Sequence, residues 1–237
     1  VYESAVCSIE EHKLVNRGFL IGPLCPVYGF GALASIFVLY QRTENVIILF
    51  FAGMLLTCTV EYITAVLLEK LFNARWWDYS KYRFNFQGRV SLIGAVVFGV
   101  LSVLLIRCIH PIAGGLIDQL PDWLQIVLSF VLFILVMLDL YVTVHHLLQL
   151  NDRLKEIQTA INGYLGQYTK RAGDLKDSIL NKFEESDFYN ERIKALFGLN
   201  RIQNIRIFRA FPDLRSLKYN DAFQKLKNML LGPDDKK

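Results

Sequence analysis

Two carboxylic acids sit where acids are costly: Glu61 inside the apolar run Val46 to Leu68, and Asp139 inside Leu124 to Leu148. A charged side chain in hydrocarbon is expensive unless paired or hydrated, so such groups face a bundle interior or a cavity. Each acid has polar neighbours at helical spacing. Thr57, Glu61 and Thr64 share a face by i−4 and i+3, and Asp139, Thr143 and His146 by i+4 and i+7. If both helices run the same way, Glu61 and Asp139 fall at similar depth, just past the midpoints of their runs. Glu3 belongs on the same side. One reading is a shared polar site, a proton or cation relay or a ligand pocket. The other is that each carboxyl is hydrogen-bonded to a neighbouring helix and holds the bundle together.

A second constellation lies between two apolar runs: Asn73 to Arg89, NARWWDYSKYRFNFQGR. Trp and Tyr rings prefer the headgroup region, and Lys and Arg secure one membrane face. That explains most of the segment but not Asp78, which gains little from anionic lipid. Pairing with Arg75 or Arg89 would fold the loop back beneath the spans as a cover over the polar site.

The elements that must position these groups follow from hydropathy. Of the 237 residues, 53% are hydrophobic, and the mean hydropathy is +0.32. Both exceed what a soluble domain of this size needs for its core. Crossing a hydrocarbon layer about 30 Å thick takes roughly 20 apolar residues in a helix. Val46 to Leu68, Val90 to Ile109 and Leu124 to Leu148 meet that length, whereas Leu24 to Tyr40 is shorter and broken by Gly and Pro. The chain opens at Val1, and VYESAVCSI reads as the end of a span whose beginning is missing. The expectation is an all-α, polytopic helical membrane protein: four complete or near-complete spans plus a truncated first one over residues 1–148, then a helical cytoplasmic tail over 149–237.

Orientation comes from Lys and Arg. The segments Ile9 to Gly22 and Lys70 to Arg89, with the tail, carry nearly all of them, while His110 to Asp122 carries none. The basic side is therefore expected in the cytoplasm. The net charge of +4 then reflects attraction to the lipid bilayer, and no nucleic acid is expected. The four Cys occur singly in or beside apolar runs, so neither a disulfide nor a metal site is expected.

In the tail, Leu147, Leu150, Leu154, Ile157, Ile161, Tyr164 and Tyr168 recur in steps of three and four, a coiled-coil seam. It could close as a hairpin on Leu175, Ile179 and Phe183, or as a parallel homodimer. Further on, Ile193 to Phe208 alternates apolar residues with Arg and Lys, which suits an amphipathic helix lying on the inner leaflet or packing on the tail. Asn220 or Asp221 could cap a last short helix. No GxxxxGK[ST], GxSxG or HExxH motif is present, so no P-loop ATPase, esterase or zinc protease is indicated, and no cofactor is implied.

The blocks VNRGFLIGPLCPVYGFGA, LLEKLFNARWWDYSKYRFNFQGRVSL and IHP resemble the signatures of the bacterial ABC-transporter type IV membrane family, known mainly from Gram-positive organisms. By that resemblance, Asn16, Arg17, Gly18, Gly22, Pro23, Pro26, Tyr28 and Gly29 belong to the first block. Glu69, Arg75, Trp77, Asp78, Tyr79, Asn85, Gly88 and Arg89 belong to the second, and Glu3 matches an acidic position ending the first span. The resemblance implies a multi-pass protein of the bacterial plasma membrane. The expected function is a permease-like component of a small-solute transport system, with ATP hydrolysis in a separate nucleotide-binding subunit. The alternative is a membrane-anchored interaction or sensing protein presenting its helical tail. A third reading, an intramembrane enzyme using Asp78, Arg75 and Asn85 on a lipid headgroup, has no legible nucleophile and base.

Overall fold

The computed structural model describes residues 18–22, 24–168 and 201–231. It is mostly helical. The first helix, α1 (Pro26–Leu39), starts where Pro26 fills its first turn, a place where a missing N–H costs nothing. Its 14 residues make it about 21 Å long, short of a hydrocarbon layer. Helix α2 (Val46–Phe72) is opened by Asn45, whose side chain accepts from the N–H groups of Ile47 and Ile48. It stops at Asn73, which takes the left-handed conformation at φ 49°, as Asn tolerates better than most residues.

The next span is longer than the hydropathy run suggests. Helix α3 (Leu92–Leu104) passes through one π turn, Leu105–Ile109, into α4 (His110–Ile117). The sequence reading ends this run at Ile109 and leaves His110 to Asp122 as a connection, so it does not anticipate a helix that passes through Pro111. The wider π turn immediately before it instead relieves the clash between the proline ring and the preceding turn. Helix α5 (Asp122–Tyr168) then runs unbroken for 47 residues.

Three helices are long and apolar enough to cross a membrane: Val46–Phe72, Leu92–Ile117 and Asp122–Thr159. Small residues set how α2 and α3 meet. A Cβ on Gly53 would lie 2.7 Å from Ser102 Oγ, and one on Gly99 would lie 2.6 Å from the Phe50 ring. Close backbone approach through small residues is how helices associate in lipid, where apolar burial alone gains little. Helix α5 stands apart, with only 6% of its most apolar window buried. Trp123, Phe130, Phe133 and Tyr141 face outward, a surface that lipid, not water, would cover.

The main core lies at the basic end, around the C-terminal parts of α2 and α5. There the tail forms α6 (Arg201–Ala210) and α7 (Asn220–Leu230). Leu147, Leu150, Leu154 and Ile157 of α5 are buried with Ile207, Phe208, Phe223 and Leu226 of these helices, and Phe19, Leu20, Phe72 and Trp76 join them. The first four positions of the heptad seam are thus covered from within the chain. Leu175, Ile179 and Phe183, the hairpin partners expected for it, lie outside the described residues. So does the first half of the expected amphipathic helix, whose Ile207 and Phe208 are buried here. Helix α7 begins at Asn220, with Tyr219 at the capping position and no side-chain cap.

Two short ladders interrupt the all-helical expectation. Strands β1 (Ala74–Arg75) and β4 (Arg215–Ser216) pair antiparallel, with Ala74 opposite Ser216 and Arg75 opposite Arg215. Strands β2 (Asn85–Phe86) and β3 (Val90–Ser91) form a hairpin.

Candidate functional site

The aromatic loop after α2 is a folded unit. Asp78 caps a 3₁₀ turn, Tyr79–Lys81, accepting from the Ser80 hydroxyl at 2.5 Å and the Ser80 N–H at 3.1 Å. Gln87 and Gly88 both have positive φ, 53° and 68°, and the Arg89 N–H closes their turn on the Phe86 carbonyl. That geometry suits a hairpin whose strands twist right-handed. A Cβ on Gly88 would lie 2.5 Å from Ser80 Oγ and 2.7 Å from Asp78 Oδ1, so glycine is required for space as well as for φ. Asn85 ties the ends together, donating to Tyr82 O at 2.7 Å and accepting from Gly88 N–H at 2.9 Å. Trp77 Nε1 donates to Arg89 O at 2.9 Å.

Charge pairing fastens this unit to its surroundings. Glu69, in the last turn of α2, takes Arg75 Nε at 2.9 Å on one oxygen and Arg89 Nη2 at 2.6 Å on the other. Asp78 pairs with Arg215 of β4 at 2.8 Å and with Arg75 at 3.6 Å. The expected Asp78–Arg75 pair therefore forms, while Arg89 goes to Glu69. The Ser80 hydroxyl bond, foremost, holds the Asp78 carboxyl below its ordinary range. Burial opposes this, and the Ser80 N–H, Arg215 and Arg75 add to it. Glu69 likewise raises Arg89 above the usual guanidinium range. A carboxylate at a helix C-terminus opposes the macrodipole and needs cations, and that is the signal in the sequence that points to Glu69.

Between α1, α2 and α3 lies a cavity of about 190 Å³. It is lined by Tyr28, Gly31 and Ser35 of α1, Thr57 and Glu61 of α2, and Ser102 of α3, among others. Glu61 is buried, and the Tyr79 hydroxyl reaches its Oε1 at 3.4 Å. Thr57 donates to Gly53 O at 2.7 Å, so its oxygen faces its surroundings only as an acceptor. Ser35 Oγ is buried with no hydrogen-bond partner among the described residues. A polar group left so in a cavity wall calls for a water or a ligand atom.

Asp139 is placed differently. Its two oxygens accept from the Ile21 and Gly22 N–H groups, each at 2.9 Å, and Thr143 donates to it at 3.3 Å. His146 Nε2 bonds Asn204 Oδ1 of α6 at 3.0 Å. Arg206 of α6 donates from Nη1 to Gly18 O at 3.1 Å and also to Leu20 O. One short stretch, 18–22, therefore has N–H groups held by Asp139 and carbonyls held by Arg206. The structure brings Thr57 and Glu61 together in the cavity and groups Asp139, Thr143 and His146 under this stretch and the tail. Arg206 and Arg215 are the positioning residues that sequence reasoning passes over, whereas Glu69 enters it only through the family resemblance. Glu3, Asn16, Arg17 and Pro23 lie outside the described residues. Gly29 has nothing within 4 Å of where a Cβ would sit. No cluster of three or more His, Cys, Asp or Glu able to hold a metal occurs among the described residues.

Three membrane-length apolar helices, one of them carrying a buried carboxyl, define a multi-helix membrane protein. The profile of the family described as Putative ABC-transporter type IV matches residues 1–144, more than half of the sequence, and the chain belongs to that family. The match takes in the first two long spans, the aromatic loop and the first part of α5 with Asp139 and Thr143, and ends within α5. No curated protein and no solved structure matches the chain. Family and apolar helices together fit a membrane transport-related protein.

Proposed function

We propose that the chain is the permease-like component of a small-solute transport system in a bacterial plasma membrane, with nucleotide hydrolysis in a separate subunit. In this reading α1 is a fourth, minimal span beside the three long ones, and the basic end with the tail is cytoplasmic. The lack of a GxxxxGK[ST] loop supports a separate ATPase, and the shared position of the basic loop and the tail supports the orientation.

One observation carries the reading: Glu61 is buried in the wall of a cavity between α1, α2 and α3, with Tyr79 reaching it from the loop outside the spans. A carboxyl at that depth is costly as filler and useful as a site for a proton or a polar solute. The test is uptake of a panel of small solutes into vesicles containing wild-type protein or Glu61→Gln. Loss of uptake with normal insertion is expected, and uptake equal to wild type would sink the carboxylate role. A second reading, an interaction or sensing protein, is favoured by how closely the tail is folded onto the loop. It predicts the reverse pattern: phenotype lost on deleting 201–237 and kept in Glu61→Gln.

A further inference from the structure

The cavity between α1, α2 and α3 has a wall whose chemistry restricts what it can hold. Its polar groups come from three helices: Ser35 from α1, Thr57 and Glu61 from α2, and Ser102 from α3. Glu61 is 6% exposed and Ser35 1%, and the Ser35 hydroxyl has no hydrogen-bond partner among the described residues. A buried hydroxyl left in that condition calls for a partner atom from outside the protein. Thr57 donates to Gly53 O, so toward the cavity it offers only an acceptor. Most of the remaining wall is apolar or aromatic, with the Tyr28 and Phe98 rings meeting edge to face at 6.0 Å between centroids.

The lining decides the sign of charge. It holds one acid, and among the described residues it holds no Lys, Arg or His. An anionic solute would meet the Glu61 carboxylate with no basic group to balance it, in surroundings where ions are costly. An organic cation meets the opposite: a carboxylate and acceptor oxygens for its N–H groups, and rings whose faces carry negative potential. A metal ion is a poorer match. Hard cations take about six to eight oxygen ligands, whereas no metal-binding cluster of His, Cys, Asp or Glu occurs among the described residues. Size sets the remaining limit. A cavity of about 150 Å³ holds one benzene molecule, so about 190 Å³ accepts an organic molecule slightly larger than that.

We infer that the solute of this site is a compact organic monocation, an amine with an apolar body little larger than benzene, its ammonium group held at Glu61 and Ser35 and its body against Tyr28 and Phe98. The inference rests on the proposed function in taking this cavity as the solute site, and it narrows that solute to one chemical class. Binding itself requires no transport.

The experiment measures equilibrium binding to the full chain in nanodiscs of zwitterionic lipid, with empty discs subtracted. Three molecules of nearly one shape are compared: benzylamine, benzyl alcohol and benzoate, which are cationic, neutral and anionic at neutral pH. Benzylamine is expected to bind at least about tenfold more tightly than benzyl alcohol, the scale of a charge-assisted contact over a neutral one, and benzoate most weakly. Glu61→Gln should remove the benzylamine advantage while benzyl alcohol still binds, which also shows that the cavity is intact. Ala32→Phe, which fills the space from α1, should lose both. Equal binding of the three, a preference for benzoate, no binding of any, or a benzylamine advantage that survives in either variant would each overturn the inference. Should Glu61→Gln fail to insert, Ser35→Ala decides in its place: benzylamine weakened severalfold supports the site, and an unchanged affinity overturns it. Benzylamine that binds but is not taken up would sink the transport reading and leave this inference standing. Glu61-dependent uptake of a solute other than an amine, with no benzylamine binding, would do the reverse.

Discussion

Tyr79 and Glu61 meet across 3.4 Å although one belongs to a loop outside the spans and the other to the buried face of α2. The contact joins two features that the sequence presents separately, an aromatic connection and an acid in an apolar run. Its origin is local on both sides: Asp78 fixes the turn that aims Tyr79, and the i−4 spacing to Thr57 puts Glu61 on the cavity face.

Removing only the phenolic oxygen should therefore loosen the cover without unfolding it. A hydrogen bond at the long end of the range contributes about 1 kcal/mol, so Tyr79→Phe is expected to raise maleimide labelling of Thr57→Cys by roughly fivefold. The melting temperature in detergent should hardly move, because the ring keeps its edge contact with Tyr82. An unchanged labelling rate would mean that the phenol does not help close the cavity.

The loop should also be indifferent to pH across the neutral range and fail in acid. Asp78 has a lowered pKa in the folded protein, chiefly through the Ser80 hydroxyl, with Arg215 and Arg75 facing it. A group whose folded pKa is depressed contributes stability above its unfolded pKa, about 3.9 for Asp, and loses it as pH falls through the lower folded value. Fluorescence of Trp76 and Trp77, in a Trp123→Phe background, should be flat from neutral down to about pH 5 and change below about pH 4. Asp78→Asn should remove that step. A transition centred near neutrality would show that another group controls the loop.

How far the sequence carries depends on the range of each interaction. The long spans are legible because an apolar run is a local property, and Glu61 stands out because a carboxyl in such a run breaks it. Asp78 is legible as an anomaly in a basic loop. The continuation through Pro111 is not, since it depends on one π turn placed to accommodate the ring. Least legible are the partners. Arg206 reaches Gly18 across 188 positions, and Arg215 meets Asp78 only because α6 and α7 first bury their apolar faces on α5. Periodicity identifies such a face but not what covers it, which is why the heptad seam reads equally as a hairpin or a dimer.

Arg206 supplies the sharpest test of the tail's structural role. Its guanidinium is half-buried. Burial pulls its pKa down and the Asp139 charge pushes it back, but arginine in proteins stays protonated, so the charge persists and must be satisfied. Two carbonyls, of Gly18 and Leu20, receive its Nη1, while Asp139 holds the next two N–H groups from the opposite side. Arg206→Gln removes a charged donor from buried acceptors, at a cost of about 2–4 kcal/mol. A melting temperature in detergent several degrees below wild type is expected, with Arg206→Lys in between because an ammonium lacks the planar fork. Asp139→Asn should destabilise by a similar amount, since its amide would turn a donor toward the Ile21 or Gly22 N–H. Both side chains act through the one stretch 18–22, so once either clamp is gone the stretch is free and the second loss adds little. The double variant should therefore be distinctly more stable than the sum of the single losses implies. Strict additivity would show that the two residues hold separate pieces of structure, and the clamp would have to be abandoned.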